Sequence, residues 1–259
     1  MSTILFDQVV YGPIHSRRLG VSLGINISPP DGKRCSFNCI YCECGLNEER
    51  PAHSRAPSRE EVKQFLENKL LQMKSEGLCP DVITFSGNGE PTMHPEFALI
   101  IDDTINLRDR LCSEARVAVL SNSTMLHKEN VFKALLKVDE SIMKLDSVMD
   151  ERIRQIDDPE IRDFKADGLI RQLMRFDGKL TIQTIFLRGV RDGVIIDNTS
   201  PEEVLRWIEA IKAINPRKVM IYTIDRETPV KSLQKVSEDE LNGIAARVRE
   251  AGFEVSVSY

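Results

Sequence analysis

Four of the six cysteines lie within ten residues of one another, at Cys35, Cys39, Cys42 and Cys44. The first three have the spacing C-x3-C-x2-C, so one loop supplies three thiolates. A four-iron cluster held by three thiolates leaves one iron open to an external ligand, whereas four thiolates would close it as an electron carrier. The spacing therefore predicts a [4Fe–4S] site with an open iron and with Cys44 as a spare thiol.

Two readings of another class stay open for the same loop. The first is a zinc-binding module in which Cys44 is the fourth ligand, although structural zinc sites usually combine two separate cysteine pairs. The second is a non-catalytic iron–sulfur carrier. We expect stoichiometric zinc without iron in the first case and redox cycling without further chemistry in the second.

The composition is that of a globular chain. Its 259 residues are 41% hydrophobic and 29% charged, which is typical of a packed core. The net charge of −5 provides no global attraction to nucleic acid or anionic lipid. The N-terminus lacks a basic region before its short apolar stretch, and no apolar run has membrane-spanning length. We expect a cytoplasmic protein without a membrane partner, with its thiols in a reducing compartment.

Hydrophobic periodicity predicts the elements that position the cysteine loop. Strand patterns occupy 21–27, 81–85, 116–120, 141–145, 180–187, 218–223 and 253–257. Helix patterns run from Ser58 to about Gly77 and over 95–111, 128–136, 161–176, 201–214 and 238–251. This alternation predicts an α/β fold, a partial (β/α)6 TIM-like barrel of parallel strands with outer helices, as a single domain over 1–259. Functional side chains are then expected at the carboxyl ends of the strands, with residues 1–20 flanking the site.

The cysteine triplet, with Tyr41 directly before the last cysteine, resembles the signature of the radical S-adenosylmethionine (radical SAM) superfamily. The resemblance implies a partial or full (β/α) barrel with the cluster loop after its first strand. It also implies that SAM binds the open iron through its amino and carboxylate groups. An electron from a donor such as flavodoxin or ferredoxin then cleaves SAM to methionine and a 5′-deoxyadenosyl radical, which abstracts hydrogen from a substrate.

The resemblance continues at the strand ends. Residues 86–91, Ser-Gly-Asn-Gly-Glu-Pro, are similar to the family's Gly-Gly-Glu-Pro motif, which contacts the SAM amino group, with Asn88 where many members have glycine. Residues 121–123, Ser-Asn-Ser, are similar to a Thr-Asn-Gly segment of the family. The structural alternatives are a helix cap at residues 121–123, an ordinary glycine-rich turn at residues 86–91 and a charge pair of Lys144 with Asp146. The cofactor-binding residues so implied are Tyr41, Gly87, Asn88, Gly89, Glu90, Ser121, Asn122, Lys144, Asp146 and Gln183.

Two further segments, residues 11–20 and 222–229, resemble a branch grouped with enzymes that form wyosine-type bases in tRNA. Through them the resemblance suggests His15, Arg17, Arg18 and Arg226 as substrate contacts, since arginine suits phosphates and carboxylates; a solvated basic turn is the alternative. A tRNA base or nucleotide is one candidate substrate, although the negative net charge argues against a large RNA footprint. A glycyl-radical-enzyme activase is the alternative enzyme. The sequence assigns no catalytic residue.

Overall fold

The computed structural model describes residues 4–16, with only the backbone of Ser16, and residues 20–259. Two compact units are distinguished. The N-terminal unit comprises residues 5–35 and 47–141, and the C-terminal unit comprises Ile4 and residues 36–46 and 142–259. The single-domain expectation stays a prediction. No helix within the described ranges is long and apolar enough to cross a membrane.

The elements alternate as the sequence predicts, and they include a mostly parallel sheet of eight strands and a separate sheet of three strands. The strands are β1 Val10–Ser16, β2 Gly20–Ile25, β3 Val82–Phe85, β4 Arg116–Ser121, β5 Glu140–Lys144, β6 Thr181–Ile185, β7 Leu187–Arg191, β8 Val194–Asp197, β9 Lys218–Tyr222, β10 Gln234–Lys235 and β11 Val255–Ser258. The helices are α1 Arg59–Ser75, α2 Phe97–Leu111, α3 Glu129–Leu135, α4 Asp150–Ile156, α5 Ala166–Met174, α6 Pro201–Ile214 and α7 Glu238–Glu250, with a 3-10 turn at Pro91–Met93.

In the N-terminal unit, β1 pairs with β2 in antiparallel orientation, and β2, β3 and β4 are parallel neighbours. All four residues of β3 are buried, as expected for a strand covered on both faces. The predicted start of the first helix is confirmed. Ser58 caps α1 by accepting from the Glu61 amide, while the Glu61 side chain accepts from the Ser58 amide, which forms a capping box.

In the C-terminal unit, β5 pairs with β6, β6 with β9, and β9 with β11, all in parallel. The cysteine loop belongs to this core through Ile40, which is fully buried with Ile156, Ile185, Leu187 and Ile196. Burial of such aliphatic side chains stabilises the fold by about 1.5–3 kcal/mol each. The loop is therefore anchored by its own apolar side chain.

The structure differs from the predicted elements in the middle of the chain. Residues 146–159 show no clear pattern in the sequence but contain α4, which has only two buried residues and is too short to show periodicity. The helix expected over 161–176 begins only at Ala166. The strand expected over 180–187 is divided between β6 and the start of a hairpin, β7–β8. Asp192 and Gly193 form the turn of the β7–β8 hairpin, and both have positive φ. The Asp-Gly pair in the sequence could therefore have indicated this hairpin.

Candidate functional site

In the N-terminal unit, the glycine-rich turn after β3 braces the residue before Cys35. The Arg34 amide donates to the Asn88 carbonyl (2.9 Å), and the Glu90 amide donates to the Arg34 carbonyl (3.0 Å). Gly89 lies between these bonds with φ +151°, and a Cβ atom there would be 1.9 Å from the Arg34 carbonyl oxygen. Glycine is required because the backbone leading to Cys35 crosses the turn at this point.

Asn88 uses its side chain to hold the segment around Phe6. It is fully buried. Its Oδ1 accepts from the Phe6 amide (2.8 Å), and its Nδ2 donates to the carbonyls of Phe6 (2.8 Å) and Pro29 (3.0 Å). These bonds satisfy the amide, so the side chain acts here as a structural clamp and its predicted cofactor contact stays a prediction.

Glu90 is the centre of a buried polar cluster at the ends of β3 and β4. One carboxylate oxygen accepts from the hydroxyls of Thr92 (2.5 Å) and Ser121 (2.8 Å), and the other accepts from the Asn122 amide (2.6 Å). Burial raises the pKa of Glu90, although these hydrogen bonds oppose that shift. The structure thus brings together three of the predicted residues, Glu90, Ser121 and Asn122.

The segment after β4 also reaches the first cysteine. Asn122 Nδ2 donates to the Sγ atom of Cys35 (3.6 Å), while Asn122 Oδ1 accepts from the amide and hydroxyl of Thr124. The helix-cap alternative for residues 121–123 is wrong, because α3 begins only at Glu129 and its N-cap is Lys128. The predicted cofactor contact of this segment stays a prediction. Ser123 follows with φ +68°, and its buried hydroxyl has no hydrogen-bond partner within residues 4–16 and 20–259.

In the C-terminal unit, the ammonium group of Lys144 is surrounded by acidic groups. Its Nζ lies 3.0 Å from Cys39 Sγ, 2.9 Å from Asp146 Oδ2 and 2.7 Å from Asp157 Oδ1. It also donates to the Tyr41 hydroxyl, which in turn donates to Asp146. The charge pair of Lys144 and Asp146, given above as the structural alternative, therefore exists and includes Cys39 and Tyr41 as well.

Burial sets the electrostatics of this cluster. It raises the pKa of Asp157 to about 8, against the opposing charge of Lys144. Burial also opposes the charge of Lys144, but Asp146 and Asp157 outweigh it and raise the Lys144 pKa well above its usual range. Burial and the charge of Asp146 raise the pKa of Tyr41. The sequence did not indicate Asp157, because it follows the short helix α4 in a segment without a pattern.

None of the four clustered cysteines is in a disulfide bond; Cys35 and Cys42 are half-buried, and Cys39 and Cys44 are buried. In the part of the chain that the structure describes, no three histidine, cysteine or carboxylate side chains converge on a point for a single metal ion. The donor set nevertheless suits an iron–sulfur cluster, in which thiolates bind separate irons. An amide faces Cys35 and an ammonium faces Cys39, and such donors stabilise thiolate ligands.

The remaining predicted residues are placed as follows. Gly87, with φ +130°, packs its backbone against Asn26, and Gln183 lies in β6 opposite Lys144 of β5. His15 is exposed in β1. Arg226 is exposed and pairs with Glu43 (2.5 Å), while Arg17 and Arg18 lie outside the described residues.

The other two cysteines form a disulfide bond, Cys79–Cys112, which the sequence did not predict. It links the segment before β3 to the end of α2, across a sequence separation of 33 residues. Disulfides are rare in cytosolic proteins, so this bond argues against the expected cytoplasmic location and reduced thiols. The location stays a prediction.

The sequence of this chain matches a known protein family. Residues 30–229 match the model of the radical SAM superfamily, and they include the cysteine loop, the glycine-rich turn and the Lys144 cluster. The chain belongs to the radical SAM superfamily. The resemblance drawn from the cysteine spacing is confirmed, and membership implies an enzyme with SAM cleavage chemistry that binds SAM and an iron–sulfur cluster.

The chain is similar to three further proteins. The UPF0026 protein of Helicobacter pylori is 30% identical over 236 residues, which are 90% of this chain and 71% of the relative. Streptococcus suis SuiB bound to S-adenosylmethionine has a TM-score of 0.64 at 15% identity, over 91% of this chain and 50% of SuiB. TYW1 with a lysine-pyruvate adduct bound has a TM-score of 0.60 at 16% identity, over 88% of this chain and 73% of TYW1. The structural likenesses confirm the predicted α/β fold class with its mostly parallel sheet.

Proposed function

We propose that Cys35, Cys39 and Cys42 hold a [4Fe–4S] cluster and that the chain uses it to cleave SAM. The observation that carries this proposal is the pair of hydrogen-bond donors facing two of these thiols, Asn122 at Cys35 and Lys144 at Cys39. Cys44 follows the triplet with only Glu43 between it and Cys42, and we place it outside the ligand set. When bound, the cluster and SAM supply a 5′-deoxyadenosyl radical that abstracts hydrogen from the substrate.

The residues of the chain orient these groups. The turn at Gly89 fixes the backbone that enters the cysteine loop, and Asn122 orients the thiol of Cys35. Glu90 offers a buried carboxylate that accepts from a SAM ammonium, supported by its existing donors at β4. Further SAM contacts are proposed for Tyr41, Gly87, Asn88, Ser121, Lys144, Asp146 and Gln183, on the strength of the family resemblance of these positions.

The proposed substrate is a tRNA base or nucleotide. The support is the likeness of residues 11–20 and 222–229 to the wyosine-forming branch, which makes His15, Arg17, Arg18 and Arg226 the proposed substrate contacts. The proposed electron donor is flavodoxin or ferredoxin, in the cytoplasm. An assay of hydrogen transfer from deuterated RNA, nucleotides and peptides into 5′-deoxyadenosine discriminates among substrates; label from a peptide alone would favour the activase alternative instead.

Anaerobic reconstitution tests the central proposal. With iron, sulfide and a strong reductant, the wild-type protein is expected to convert SAM to 5′-deoxyadenosine and methionine. Replacing Cys35, Cys39 or Cys42 by alanine should abolish this reaction, because each removes an iron ligand. Cys44→Ala is the matched control in the same loop and should keep the activity.

Three results would contradict the proposal. A protein that holds its full iron and sulfide content but never cleaves SAM would be a carrier. A protein that is isolated anaerobically with stoichiometric zinc and no iron would be a zinc module. Loss of the cluster in Cys44→Ala alone would show that the three-ligand assignment is wrong.

A further inference from the structure

Lys144 donates a hydrogen bond to a cysteine in addition to its contacts with aspartates. Its ammonium has two carboxylate partners already, Asp146 at 2.9 Å and Asp157 at 2.7 Å, yet it also donates to Cys39 Sγ at 3.0 Å. Only 15% of the side chain is exposed. A buried, fully charged donor therefore points at one of the proposed cluster ligands.

The surroundings hold the ammonium in this place. Asp146 Oδ2 and Asp157 Oδ1 lie 2.9 Å and 2.7 Å from Nζ, and the rings of Tyr41 and Phe37 lie 4.5 Å and 5.6 Å from it. Asp146 is itself fixed, since its Oδ1 accepts from the Ile185 amide (3.0 Å). The donor does not depend on a mobile surface side chain, so its effect on the sulfur is constant.

We propose that Lys144 is a positioning residue that raises the reduction potential of the cluster through its hydrogen bond to Cys39. This inference rests on the proposed function, because it requires that Cys39 binds iron. Reduction adds one electron, delivered by a one-electron donor such as a reduced flavodoxin, and increases the negative charge on the cluster and its thiolates. A hydrogen bond from a cation to a ligand sulfur stabilises that extra charge, particularly where water is excluded.

The test is a redox titration of the reconstituted cluster followed by electron paramagnetic resonance. Lys144→Met removes the charge and the donor but keeps a side chain of similar length. At the wild-type midpoint potential, we expect its ratio of reduced to oxidised cluster to fall about tenfold, a midpoint about 59 mV more negative for a one-electron couple. Lys144→Arg should restore most of this loss, because it keeps a cationic donor.

Arg152→Met is the matched control. It also removes a largely buried cation of the C-terminal unit, whose guanidinium contacts Glu203 (2.9 Å), Gln155 and the Ile195 carbonyl. Its midpoint should equal that of the wild-type protein at equal iron content. If Lys144→Met does not retain a cluster, Lys144→Gln, which keeps a neutral donor, takes its place and should lie between wild type and full loss.

The outcomes separate this inference from the proposed function. A Lys144 variant with full iron content and the wild-type midpoint would overturn the inference, because lysine would then stabilise only the fold. A wild-type cluster that does not cleave SAM, but whose midpoint still falls in Lys144→Met, would refute the proposed function and keep the inference. A shift of equal size in Arg152→Met would also overturn it, since any lost buried cation would suffice.

Discussion

Gly89→Ala is the substitution for which the structure makes the sharpest prediction in the N-terminal unit. The new Cβ atom would lie 1.9 Å from the Arg34 carbonyl oxygen and 2.5 Å from its carbon, well inside the 3.0 Å below which a neighbour must shift. Both atoms belong to the backbone, so no side-chain rotation relieves the contact. The peptide before Cys35 must therefore move by about 1 Å or more.

The cost follows from what this movement breaks. The two backbone hydrogen bonds between Arg34 and the turn, of 2.9 Å and 3.0 Å, contribute about 1 kcal/mol each. A non-glycine residue at φ +151° adds about 1–3 kcal/mol of backbone strain. We expect the free energy of unfolding to fall by about 4 kcal/mol. A misplacement of about 1 Å at a reacting group also costs about 100-fold in rate, so SAM cleavage should fall by at least that factor.

Urea unfolding of the apo protein measures the first effect, and iron content with 5′-deoxyadenosine formation measures the second. Gly77→Ala is a matched control, because Gly77 also has positive φ (+72°) but nothing within 4 Å of its Cβ position. It should lose only about 1–2 kcal/mol from the left-handed backbone. Gly168→Ala, in α5 with open space around it, should gain about 0.5–1 kcal/mol. A Gly89→Ala protein as stable as Gly77→Ala, with wild-type iron content, would refute the steric argument.

Three further predictions concern stability. Denatured protein prepared without reductant should expose four reactive thiols, and six after reduction. Reduction of Cys79–Cys112 should lower the free energy of unfolding by about 4 kcal/mol, because the bond closes a loop with a separation of 33 residues. Six reactive thiols before reduction would contradict the pairing. Ser123→Gly should raise the free energy of unfolding, measured by urea unfolding, by about 1 kcal/mol. The reason is that Ser123 has a left-handed backbone and a buried hydroxyl without a hydrogen-bond partner in the described part of the chain. A loss of stability in this variant would mean that the hydroxyl has a partner. Burial raises the pKa of Asp157 from 3.8 to about 8, so between these values the folded state retains a proton that the unfolded state loses. The free energy of unfolding of the apo protein should therefore fall as the pH rises from about 4 to 8. Asp157→Asn should remove this part of the pH dependence, and an unchanged pH dependence in the variant would contradict the assignment.

Local patterns in the sequence predicted much of the framework. The spacing of Cys35, Cys39 and Cys42 indicated the chemistry, because ligand spacing within one loop is a property of adjacent residues. Ser58 and Glu61 predicted the start of α1, since a capping box needs only two residues that are three positions apart. The alternation of apolar strands with amphipathic helices predicted the α/β class for the same reason. Short or half-exposed elements such as α4 and the β7–β8 hairpin were missed, because few of their residues are buried.

Tertiary structure alone decided which groups meet. The partners of Lys144 include Cys39, which lies 105 residues away, and Asp157, whose burial no local pattern reveals. Glu90 meets Asn122 across 32 residues, and Cys79 reaches Cys112 across 33. Spacing along the chain carries no information about such contacts, because they form only when parallel strands bring distant segments side by side. The proposed cluster ligands were predicted from their spacing within one loop, whereas the charged and hydrogen-bonding groups around them depend on the folded chain.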